Sequence, residues 1–261
     1  MEQDTQKQQD FFVRKDSVVR KIWGNADTIL FTFAGAAAEF ALNRAVDWLY
    51  FTGKLPSDPL GRLFSTVGYA RRIVFSTTVE ANKAIDTIRN IHGAVESARG
   101  ASIPDWAYRD VLFMLIHYSI ASYELFNQRL TEEEKEEVYS VFYRMGTRMQ
   151  ISKLPATYQS WLPVRDAHLA EDLLLSKYTS DLFCQYKKHL GAFRYRILLE
   201  GQKLVVPPRV RDLLELNRPS LLSSVLPVYK LTRLLHLDWL LKSVLLPAEY
   251  KSQIKALDFE L

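Results

Sequence analysis

Cysteine is nearly missing from this chain: Cys184 is the single copy in 261 residues. That excludes a disulfide framework and any zinc or iron–sulfur site held by several cysteines. Histidine is scarce as well, with five copies at His92, His117, His168, His189 and His236, which narrows the metal chemistry available. Long apolar runs are also lacking. The longest stretch without Asp, Glu, Lys or Arg is Val111 to Tyr123, short of the roughly 20 apolar residues a spanning helix needs. The segment from Met1 to Asp10 has neither the basic region nor the apolar stretch of a secretory leader. The expectation is therefore a soluble cytoplasmic protein, with peripheral membrane attachment left open. Charge of one sign is not concentrated either. The net charge of +4 comes from 34 basic against 30 acidic residues, without the clustering that marks a nucleic-acid binder. No nucleic-acid partner is expected.

What is present is ordinary globular material, 48% apolar and 25% charged, long enough for one large core. Ten glycines and ten prolines fall mostly between periodic segments. Those segments read as helices over Asp16–Trp23, Ala26 to Tyr50, Leu60 to Phe75, the stretch after Thr77, and Asp105 to Phe126. Thr77-Thr78-Val79-Glu80 and Thr131-Glu132-Glu133-Glu134 have the form of capping boxes, and Asp105 is placed to cap its own helix. Leu154-Pro155 and Leu162-Pro163 bracket a connection; helical spacing resumes from Ala167 to Leu199 and breaks at Pro207-Pro208. No stretch sustains period-two alternation. The expected fold is all-α with little or no sheet: a flexible segment over 1–15, then a single domain of about ten helices over 16–261.

Among residues that can carry chemistry, His92 and His117 each lie within an apolar helical face, near Ile88 and near Phe113 and Ala121. A buried imidazole must satisfy its ring nitrogens by hydrogen bonds or by a metal. An isolated histidine there is most often a core residue bonded to a carbonyl. There is no H-E-x-x-H, and Arg89 and Met114 stand where a di-iron bundle would need glutamates. Haem asks for less: one neutral imidazole and apolar walls for the porphyrin. Arg62 and Thr66, four apart, share a helix face and set a cation beside a hydroxyl. The alternative for them is a solvated Arg and a Thr facing a neighbour. Glu39, in Gly35-Ala36-Ala37-Ala38-Glu39, is either buried with a raised pKa or paired with a base. Cys184 lies mid-helix before Lys187-Lys188, without a ligand loop. His168, His189 and His236 lie beside charged residues and are expected to face solvent.

In order along the chain, these pieces resemble a known family. Ser17–Trp23 resembles its opening helix, and Asp58-Pro59-Leu60-Gly61-Arg62-x-x-x-Thr66 its D-P-x-G-R-x-x-x-T segment. Val74-Phe75-Ser76-Thr77-x-x-Glu80-Ala81 follows V-F-G-T-x-x-E-A. Ile88 to Val95 around His92, Leu115-Ile116-His117-Tyr118-Ser119, and Leu130-Thr131-x-x-Glu134 resemble its histidine segments and the helix after them. Over residues 16 to 165 the chain is similar to the MpaB-type and latex-clearing-protein oxygenases, all-helical b-type haem proteins. The resemblance implies a buried haem b pocket with His92 as the iron ligand and His117 as a second pocket residue. It also implies Arg62 and Thr66 on the side where dioxygen and an apolar, isoprenoid or lipid-like, substrate sit. Arg62 would polarise oxygen or hold a propionate. Departures stand at Asn43-Arg44, where many members have His-Pro, and at Ser65, where the rubber-cleaving branch has Lys. They argue against a distal lysine ligand and against rubber as substrate. For the distal acid, Glu39 and Asp47 are the available choices.

A second reading keeps the fold without the metal, as a lipid-binding or interaction module. Its basis is Ser220 to Pro247, where leucines crowd around Lys230, Arg233 and Lys242. This stretch either lies on a membrane surface, grips a partner helix, or covers the core as a terminal helix pair.

Overall fold

A computed structural model describes residues 10–53 and 57–234 of the chain. Among these residues every regular element is helical, in a single all-α domain: α1 (Val18–Trp23), α2 (Ala26–Leu42), α3 (Val46–Phe51), α4 (Pro59–Phe75), α5 (Thr78–Arg99), α6 (Asp105–Phe126), α7 (Glu132–Arg148), α8 (Tyr158–Glu171), α9 (Lys177–Val205), α10 (Pro208–Leu213) and α11 (Leu222–Leu234). The expected all-α fold is what forms. None of these helices is long and apolar enough to cross a membrane.

Local sequence sets many of the boundaries. Thr77 and Thr131 each accept from the backbone N–H three residues on, while Glu80 and Glu134 reach back to the cap backbone, so both capping boxes close. Gly100 ends α5 with φ 69°, the left-handed conformation that glycine takes without a Cβ clash. Ser17 caps α1 and Gly24 ends it.

Helix α2 is the central element. It packs most extensively against α6, then against α9, while α4 and α5 pair with each other. The α2–α6 approach is close because Gly35 lacks a side chain. A Cβ there would lie 2.3 Å from two ring carbons of Tyr118. The main core joins α1, α5, α6, α7 and α8 around Trp23, Phe113, Tyr139 and Trp161. Phe113 meets Trp161 edge-on at 5.9 Å between centroids, and Trp23 meets Phe33 at 6.2 Å.

Several boundaries differ from the sequence expectation. The helix expected from Ala26 to Tyr50 is two helices, because Asn43 turns extended (φ −69°, ψ 136°) and its side-chain oxygen accepts from Ala45 N–H at 2.8 Å. Asp105 is the first residue of α6, one position past the cap, and its carboxylate instead accepts from the Ser152 hydroxyl at 2.5 Å. Pro163, expected in a connection, lies inside α8, and the helix expected over 167–199 breaks between Glu171 and Lys177. From Asp10 onward the N-terminal segment is packed. Phe12 and Val13 are in the core, and Phe12 N–H donates to Ser76 O at 3.2 Å. Residues 1–9 and 235–261, with His236, Leu240, Leu241 and Lys242, lie outside the described residues.

Candidate functional site

Helices α2, α4, α5, α6, α9 and α11 line a cavity of about 800 Å³ that opens to solvent. That is near the upper end of ligand pockets, which span about 300–1,000 Å³. Its wall is mostly aliphatic and aromatic, with Phe31, Trp48, Ile88, Val111 and Leu204 among the lining residues. The polar groups are few, and they include His92, Thr66, Ser65, Tyr108 and Arg194.

His92 and Thr66 come from the paired helices α5 and α4 and reach the same cavity. Ile88, His92 and Val95 line it at helical spacing, so the face read from the sequence is the face the cavity uses. The His92 ring lies 5.3 Å from the Tyr108 ring. The Tyr108 hydroxyl donates to Glu96 at 3.3 Å, and Glu96 also accepts from Ile103 N–H at 2.7 Å. Burial, and after it the Glu96 carboxylate, pushes the Tyr108 phenol up, so it stays protonated beside His92. Arg62 is one turn before Thr66 on α4, and its side chain lies outside the described part.

His117 is elsewhere. It lines a second cavity with Tyr158, Trp161, Arg165 and Val205, on the far side of α6. The helix phase explains this: Val111 and Leu115 face the first cavity, and two residues past Leu115 is about 200° round the helix. Burial, reinforced by the Arg165 charge, lowers the His117 pKa to about 4, against Glu39 and a hydrogen bond with the Val205 backbone. The ring is neutral near pH 7.

Glu39 is buried and pairs with a base, the second of the two readings open for it. Arg165 of α8 grips it bidentately, Nη1 to Oε1 at 2.6 Å and Nη2 to Oε2 at 2.5 Å, and the Tyr118 hydroxyl donates to Oε2 at 2.8 Å. Both carboxylate oxygens are thus engaged away from the cavity wall, which is formed by Ala36, Ala37 and Phe40 of the same helix. Asp47 bonds Arg99 at 2.6 Å, and Arg99 stacks over Trp48 with its guanidinium carbon 3.9 Å from the ring centroid. His189 is exposed, as expected, and Cys184 is exposed too.

His168 corrects the expectation of a solvent-facing residue. Its ring is mostly buried between Asp110 of α6 and Asp172 at the end of α8. Sequence reasoning missed this cluster, together with Arg165, Tyr108 and Arg194. The available signal was Asp110 itself, a carboxylate set directly before the long uncharged run of α6.

Helices lining a mostly apolar cavity, with one imidazole among its described lining residues, define an all-helical protein with room for an apolar molecule. The chain belongs to the family described as ER-bound oxygenase mpaB/B'/Rubber oxygenase, catalytic domain, whose model matches residues 20–237. It is an oxygenase, an enzyme whose reactants are dioxygen and a substrate. No curated protein and no solved structure matches it.

Proposed function

We propose that the chain is a b-type haem-dependent oxygenase that holds its haem in the 800 Å³ cavity through His92 and acts there on an apolar, isoprenoid or lipid-like, substrate. The observation that carries this reading is His92 on the wall of a large, largely apolar cavity shared with Thr66. The residues present fit a haem. The wall offers broad apolar faces for a porphyrin, one imidazole for iron, and Arg194, the one Lys or Arg among its described lining residues, for a propionate. Bound there, the haem would supply the iron at which dioxygen is activated.

The chain's own groups would do the rest. Tyr108, held protonated by Glu96, packs beside the His92 ring and limits its tilt. Thr66 offers a hydroxyl from α4 at the cavity wall, and Arg62 precedes it by one helical turn in the sequence. Ser65, on the wall next to Thr66, leaves no lysine at that position to compete for iron. The apolar lining excludes water and selects an apolar substrate. Glu39 supports the site indirectly, because its ion pair with Arg165 of α8 and its hydrogen bond from Tyr118 of α6 hold α2, whose Ala36, Ala37 and Phe40 form part of the wall.

Purified protein should show a Soret band, and His92→Ala should abolish it while leaving the helical circular dichroism unchanged. Colourless protein that does not take up added hemin would end this reading.

A peripheral contact with a lipid surface is the second reading, and α11 favours it. Leu222, Leu226 and Tyr229 line the cavity, while Leu221, Val228 and Leu231 are more than half exposed. A helix apolar on both faces, at the edge of the cavity, would pass a lipid-like substrate inward. Liposome co-sedimentation tests it: replacing Leu221, Val228 and Leu231 with Ser should abolish binding, and unchanged binding would remove this reading.

A further inference from the structure

We propose that Asp110, His168 and Asp172 form a divalent transition-metal site, separate from the cavity of His92, that ties the α2–α3 junction to α6 and α8. One ligand atom from each residue lies within 4.8 Å of the others. Asp110 and Asp172 are 3% and 7% exposed, and the edge of the Phe113 ring covers the imidazole at 5.2 Å. None of the three lines either cavity.

The convergence of the atoms is what points to a cation. Asp110 Oδ1 and Asp172 Oδ2 both approach the same nitrogen, His168 Nδ1, the second at 3.4 Å. A ring nitrogen carries one proton or one lone pair, so it can serve one carboxylate in a straight hydrogen bond and not two. A metal ion takes one lone pair from each of the three. The outer oxygens are already committed to holding the ligands in place. Asp110 Oδ2 accepts from Asn43 Nδ2 at 2.6 Å, and Asp172 Oδ1 faces Arg44 Nη1 at 3.3 Å. Asn43 is itself fixed by the Ala45 N–H. Such outer contacts orient the donors of metal centres. Two buried carboxylates side by side also favour a positive charge between them. One imidazole with two carboxylates, completed by water, suits Zn²⁺ or Mn²⁺. The loop after α8 and the break at Asn43 meet here, with Arg44 N–H donating to Asp172 O at 3.0 Å and Leu174 N–H to Leu42 O at 2.8 Å, so the ion would clamp a junction that is otherwise loop.

The test is equilibrium dialysis of EDTA-treated full-length protein against Zn²⁺ and against Mn²⁺, read by elemental analysis with iron counted separately. One equivalent of Zn²⁺ or Mn²⁺ per chain, with a rise in melting temperature on its addition, is the expected result. Asp172→Asn and His168→Leu should each lose that equivalent while the iron content stays unchanged. Should His168→Leu fail to fold, Asp172→Asn alone decides, because the amide keeps the size of the side chain and an oxygen for Arg44. No uptake, or uptake equal in Asp172→Asn and the parent, overturns the proposal. In that case the cluster is a hydrogen-bonded packing contact between α6 and the end of α8.

Discussion

Single residues in this protein carry their consequences through partners far away in the chain. Glu39 is the clearest case, because its burial could be read from Gly35 to Leu42 but its partners could not. Arg165 and Tyr118 are distant in sequence and come together only through the packing of α2, α6 and α8. Removing one member of a buried pair leaves the other charged and desolvated. Arg165→Met should therefore cost about 3–5 kcal/mol in urea unfolding, while Tyr118→Phe, which deletes one hydrogen bond to a charged group, should cost about 1.5–3 kcal/mol. Equal losses would mean that the ion pair adds nothing beyond the hydroxyl. His117, beside the same pair, gives a pH prediction. Its folded pKa of about 4 lies below the ordinary 6.5. The unfolded chain therefore binds the extra proton first as pH falls. The stabilisation from the neutral ring is complete above 6.5 and is lost as pH drops through 4. The ring borders a cavity that reaches solvent, so the contribution is about 2 kcal/mol. His117→Gln should remove that part of the slope in unfolding measured at successive pH values. An unchanged slope would place the ring in water.

At the scale of the helix, short-range chemistry was legible and long-range competition was not. Both threonine capping boxes stand as spaced in the sequence, because a cap needs only residues within one turn. Thr77→Ala or Thr131→Ala should each lower stability by about 1 kcal/mol, with the unfolding slope unchanged. The break at Asn43 was hidden. Its local share is one contact, the Asn43 side-chain oxygen on the Ala45 N–H, and the rest comes from Asp110 of α6 and the backbone around Asp172. Pro163 misled for the converse reason, since packing of Tyr158, Trp161, Arg165 and Leu169 carries α8 through a proline that would end an isolated helix. Gly191 interrupts α9 with φ 72° and ψ 165°, a backbone region almost closed to other residues, although a Cβ there would meet nothing within 4 Å. Gly191→Ala should therefore cost about 1–3 kcal/mol through strain alone. Leu190, Arg194 and Ile197, on either side of this kink, line the cavity. A neutral Gly191→Ala would show that α9 can straighten there.

For the whole molecule, the cavity decides what the fold is for. The all-α class followed from periodicity, and His92 and Thr66 share a wall because α5 and α4 each keep one helical face turned inward. His117 does not share it, because helix phase alone, unread from a motif match, turns it to the far side of α6. The cavity is wide and opens to solvent, and mass action makes stability a readout of any ligand that fills it. A ligand held at a hundred times its dissociation constant adds about 2.7 kcal/mol, and for a chain of this length each kcal/mol raises the melting temperature by about 2–4 °C. Protein stripped of prosthetic group should thus melt roughly 5–10 °C higher with hemin at that excess. His92→Ala should lose most of the gain, since the walls would still offer apolar contact but no imidazole would be left to hold the iron. Ala37→Phe, which grows a ring into the cavity from α2, should raise the melting temperature of stripped protein and reduce the hemin shift. Hemin that stabilises the parent and the His92→Ala protein equally would be bound by the walls alone, and His92 would then be a core histidine of an oxygenase that holds its cofactor elsewhere.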